Sequence, residues 1–161
     1  MHFSTTAEAI DLIDRFEAGI LDRHEFTHLQ FLTVGLYLCA RYPFAEAIDR
    51  MRSGIRMLER RHGKLITLTG EYHETSVVFW MIVIMQFLGS TAIVGFAEMA
   101  NRLIEICGDP TLPLDYYSRA RLFSDEARID FLVPDLDQNY LFANPVALAA
   151  QAGGSEIGRS S

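Results

Sequence analysis

The sequence predicts an all-α protein, a compact bundle of four to six helices around an apolar central helix. Three observations lead there. Apolar residues recur at spacings of three and four along most of the chain, the period of an amphipathic helix. No run alternates apolar and polar residues with the period of two that a half-buried strand requires. Between Glu74 and Glu98 no residue is charged, so one segment is apolar on all sides and belongs at the centre of a bundle. Half of the 161 residues are hydrophobic, enough for one sizeable core. We expect a single helical domain over residues 1–150 and a disordered, small and polar tail over 151–161.

Taken in order, Thr5 followed by Glu8 forms a capping box that opens the first helix. Ile10, Ile13, Phe16 and Ile20 carry that helix to about Leu21. Asp22 with Glu25 caps a second helix, which Phe26, Leu29, Leu32 and Leu36 continue to about Arg41. Pro43 starts a third in its first turn, where proline is tolerated, and Gly63 stops it. Residues 64–71 form a connection. The uncharged fourth helix begins around His73 to Thr75. Gly89-Ser90 bends or breaks it, with Ser90 or Thr91 capping a continuation to Cys107. Gly108-Asp109-Pro110 is a stop. Two short helices follow, around 116–122 and 125–132, the second capped by Ser124 and ended by Pro134.

Net charge is −7 and the sequence pI about 5.1, with Lys64 the sole lysine. An acidic surface repels phosphate, which argues against nucleic acid and anionic membranes as partners. The uncharged stretch is long enough to cross a bilayer. However, Gln86 and Gly89-Ser90-Thr91 interrupt it, and glutamates rather than basic anchors flank it. Cys39 and Cys107 lie in apolar helical runs without a CxxC, as buried reduced thiols do. The acidic, amphipathic N-terminus lacks the features of a secretion signal. The expected location is the cytoplasm.

Three segments can carry chemistry. His24-Glu25-Phe26-Thr27-His28 is a literal HExxH, whose histidines share a helix face and can bind zinc while the glutamate activates water. No sheet edge accompanies it to hold a peptide, and capping alone explains Glu25. Tyr72-His73-Glu74-Thr75 opens the central helix. The helix dipole there disfavours a charged imidazole, and a neutral one is what a metal or general base requires. Tyr116-Tyr117-Ser118 precedes Arg121 and Arg128, seven apart. These can pair with Glu74, Asp125 or Asp130, or hold a substrate carboxylate. Trp80, amid Phe79, Met81, Met85 and Phe87, fits core packing.

At these segments the chain resembles a family of small bacterial helical proteins of uncharacterised function, over about residues 20–136. The matches are Phe26-Thr27-His28-Leu29-Gln30-Phe31-Leu32, Tyr72-His73-Glu74-Thr75, the Tyr116–Arg128 segment (YYSRARLFSDEAR) and Pro134-Asp135-Leu136. The resemblance implies a shared helical fold and a shared polar pocket, but no reaction. Where the family has a second histidine, this chain has Phe31. A metal held by both histidines would lose one ligand here, although Glu25, His28, His73 and Glu74 could supply four.

Two functions compete. The favoured one is a small biosynthetic or catabolic enzyme acting on a small organic substrate. Its catalytic residues would be His73, Glu74 and His28, and Arg121, Tyr72, Trp80 and Arg128 would bind substrate. It would work either with a divalent transition metal (Zn, Fe or Cu) on Glu25, His28, His73 and Glu74, or by His/Glu acid–base chemistry without a cofactor. The alternative is a non-catalytic ligand-binding or scaffold protein in which the same residues form a structural polar network. Its apolar fourth helix could then serve as a homo-oligomer interface.

Overall fold

Helices account for all the regular structure of the computed structural model, which describes residues 3–65 and 71–137. The predicted connection over 64–71 and the expected disordered tail therefore lie mostly or wholly outside the described residues. Seven α-helices are present among them: α1 (Thr6–Glu17), α2 (His28–Arg41), α3 (Phe44–His62), α4 (Glu74–Ser90), α5 (Phe96–Cys107), α6 (Arg119–Leu122) and α7 (Asp125–Ile129). Single 3₁₀ turns occupy Arg23–Glu25 and Leu112–Asp115. The two short helices expected near 116–122 and 125–132 are the single turns α6 and α7, and the fourth predicted helix divides after Ser90 into α4 and α5.

The uncharged helix is buried, as its sequence predicts, and it shares the centre of the bundle with α2, which packs against α1, α3, α4 and α5. No residue of α4 from Glu74 to Leu88 is exposed. Its neighbours are α2, α3 and α7. Gly35 of α2 faces Ile84, and a Cβ there would collide with it. The glycine thus lets α2 lie close to α4, which offsets its cost of about 1 kcal/mol within a helix. After Ser90 the chain runs extended until Gly95, so α5 starts at Phe96 without a side-chain cap, and neither Ser90 nor Thr91 caps it. At 17 residues α4 falls short of a bilayer. Among the described residues no helix is long and apolar enough to cross a membrane.

Two boundaries depart from expectation. The helix α1 stops at Glu17 rather than near Leu21, because Gly19 adopts a positive φ of 71° and the amides of Gly19 and Ile20 close back on Phe16 and Arg15. The Asp22–Glu25 capping box exists, but it caps only the 3₁₀ turn. Thr27 and Gln30 form a second box, and α2 begins at His28. Consequently His24 and His28 lie on different elements, and the HExxH string never forms one helical face.

Candidate functional site

A partly open cavity of about 450 Å³ lies between the start of α2, the C-terminal half of α3 and the first turns of α4. Its walls are mainly apolar and aromatic, including Phe26, Phe31 and Trp80. The polar residues His28, Glu59, Glu71, Tyr72, His73 and Ser76 also line it. The structure therefore brings His28 and His73 to one hollow, together with Tyr72 and Trp80. Glu25, Glu74, Arg121 and Arg128 do not line it.

His73 is the N-cap of α4. Its Nδ1 accepts from the Ser76 amide at 3.0 Å. An amide can only donate, so Nδ1 carries the lone pair and Nε2 the proton. Nε2 then donates to the Leu122 carbonyl at 2.6 Å. Both ring nitrogens are thus taken by backbone groups, and the residue is 4% exposed. Burial pushes its pKa down, against the opposing pull of the Leu122 carbonyl. The imidazole is neutral, as the sequence suggests, but its neutral form is occupied in joining two helix ends.

His28 is the first residue of α2, one place after the cap. Its Nε2 bonds the carbonyl of Cys107, the last residue of α5, at 2.9 Å. A carbonyl only accepts, so Nε2 carries the proton and Nδ1 a bare lone pair with no partner among the described residues. The ring lies 4.5 Å from that of Trp80. Burial lowers its pKa, with the Cys107 carbonyl opposing.

Glu74 sits one residue from His73 but belongs to another network. Both of its oxygens accept from Arg52 of α3, at 3.1 and 2.6 Å, and Tyr72 Oη donates to it at 2.6 Å. Burial raises its pKa, but the Arg52 and Tyr72 bonds outweigh this and the net shift is downward. Glu25 binds Arg15 through both oxygens on the exposed surface. Among the described residues no three His, Cys, Asp or Glu side chains are grouped to hold a metal ion.

The segment from Tyr116 to Leu136 forms a clasp around the start of α4. Thr75 Oγ1 donates to the Asp130 carbonyl and accepts from the Leu132 amide. Tyr117 Oη donates to the Leu132 carbonyl, and Arg121 Nε to that of Val133. Asp135 accepts from both the amide and the hydroxyl of Ser118. The Leu136 amide closes on Tyr116. Arg128 pairs with Asp125 and Glu71. Tyr116–Leu122 is thereby hydrogen-bonded to Asp135 and Leu136, and the His73–Leu122 bond ties it to the start of α4.

Two cavity residues lie outside the strings that the sequence singles out. Glu59 lies in the last turn of α3, just before Arg60 and Arg61. It is half-buried, accepts from the Tyr72 amide, and has its pKa raised by burial, with Arg56 opposing. Ser76 Oγ is buried with no partner among the described residues. No signal in the sequence marks either. The chain matches no protein-family model, no curated protein and no solved structure.

Proposed function

We propose that the chain binds a small, largely apolar organic molecule in the cavity between α2, α3 and α4. The cavity itself carries this reading: about 450 Å³ of space walled by aromatic and aliphatic side chains with a few polar atoms. That size and lining suit a small-molecule pocket, for which about 300–1,000 Å³ is usual. Trp80 is the chain's single tryptophan and reports on occupancy. Titration of small aromatic compounds should change its emission saturably. Val77→Phe, which fills the space from α4, should abolish the response while leaving far-UV circular dichroism intact. Absence of any saturable ligand, or equal binding by a folded Val77→Phe protein, overturns the proposal. Two free, buried thiols, Cys39 and Cys107, accord with a cytoplasmic setting.

A catalytic version is favoured by one observation, the unpartnered Nδ1 of the neutral His28. That atom can accept a proton from a bound molecule, with Nε2 steadied by the Cys107 carbonyl. His28→Gln keeps a donor for that carbonyl and removes the base. In this version it eliminates turnover of a compound that still binds; equal turnover by the variant refutes it.

A further inference from the structure

We infer that the preferred occupant of this cavity is an organic monocation, a protonated amine carried on an apolar or aromatic body. The inference rests on the proposed role of the cavity as a small-molecule pocket and specifies its ligand class. The polar wall is one-sided in charge. Glu59 and Glu71 both line the cavity, and no lysine or arginine does so among the described residues. None of residues 66–70, which join Leu65 to Glu71, is charged. Both histidines on the wall have pKa values lowered by burial, so they add no positive charge near neutral pH.

Of the arginines nearest these acids, Arg56 stacks on the Tyr72 ring at 4.4 Å and acts on Glu59 only through its charge, and Arg128 pairs with Glu71 at 3.4 Å while also binding Asp125. Glu59 is consequently a half-buried carboxylate with one backbone donor and no ion pair among the described contacts. A carboxylate so placed favours an ammonium that can hydrogen-bond to it. Two further features fit the same ligand. Trp80 and Phe31 both line the cavity and give it aromatic wall against which a cation's apolar body can lie. His28 Nδ1 is an acceptor without a partner among the described residues, matched to a group that carries N–H donors. An anionic ligand would instead meet the Glu59 carboxylate, with no lysine or arginine among the described residues of the cavity wall.

Three probes of one skeleton separate the possibilities: 2-phenylethylamine, 2-phenylethanol and 3-phenylpropionate, titrated against Trp80 emission and by calorimetry. The amine should bind about tenfold more tightly than the alcohol, and the carboxylate more weakly than either. Glu59→Gln should erase the preference for the amine while leaving alcohol binding unchanged. Glu105→Gln, an exposed acid on α5, should preserve it. If the alcohol binds and the amine is no better, the charge inference fails and the small-molecule pocket stands. It fails in the same way if Glu105→Gln weakens the amine as much as Glu59→Gln does. If none of the three binds, and the wider aromatic panel also fails, the pocket proposal falls and takes this inference with it.

Discussion

His28 and His73 border the same hollow, and each donates its Nε2 proton to the last carbonyl of a helix, Cys107 of α5 or Leu122 of α6. They differ in the other nitrogen. His73 occupies the cap position, so its Nδ1 is consumed by an amide of its own helix. His28 stands one residue later, Thr27 serves as the cap, and its Nδ1 is left over. A shift of one position relative to a helix start thus separates a bracket from a group able to act on a ligand. Residue type and proximity to a cavity do not distinguish the two; the hydrogen-bond inventory does.

Breaking this comparison at its strongest point means removing His73. His73→Ala deletes two bonds to buried backbone groups and opens space beneath the clasp, and should cost about 3 kcal/mol in urea unfolding. His28→Ala deletes one bond at a half-buried site and should cost about 1 kcal/mol. Equal losses for the two variants would erase the distinction. Next in size is Thr75→Val, which keeps the shape of a side chain that holds the Asp130 carbonyl and the Leu132 amide. We expect a loss of about 2 kcal/mol. Hydrogen exchange at Leu132 should accelerate well beyond that in α2; unchanged protection would show that the clasp does not depend on this hydroxyl.

Acid titration sharpens the same contrast with smaller effects. Both histidines have folded pKa values below the ordinary 6.5. The unfolded chain therefore binds protons first, and stability present above pH 6.5 is lost as pH falls through the folded values. Glu74, lowered from 4.5, adds a second loss below that pH by the same sign. Urea midpoints measured from neutrality into the acid range should fall in two stages, and Glu74→Gln should flatten the lower one. A midpoint that rises between pH 6.5 and 5 would contradict the neutral assignment of both rings.

Much of this architecture is legible in the sequence because helical period and capping chemistry are local. Pro43 and Gly63 bracket α3, and the uncharged run marks a buried helix. Expectation and structure part where two local signals compete. Asp22-Glu25 and Thr27-Gln30 both form boxes, and the long helix starts at the second, with Leu21 and Phe26 buried in the core ahead of it. At the site, His28, His73, Tyr72 and Trp80 are legible because they sit in recognisable strings. The partner of Glu74 is not, since Arg52 lies on α3, 22 residues away. Glu59 is hidden for the same reason: only the return of the chain at Tyr72 turns a charged helix end into a cavity wall.

The smallest predicted effect isolates the leftover nitrogen directly. With the His28 ring 4.5 Å from the indole and tilted by 57°, protonation would place a cation beside Trp80, a contact that quenches indole emission. Because burial lowers the His28 pKa, the quenching transition should have its midpoint below pH 6.5, whereas a freely solvated imidazole would titrate near that value. His28→Gln should abolish the transition without shifting the emission maximum at neutral pH. A ligand that occupies the cavity in contact with Nδ1 should move the midpoint, since it binds the two protonation states unequally. Persistence of the transition in His28→Gln would assign it to another group and remove the claim that this ring, rather than that of His73, is the one open to the cavity.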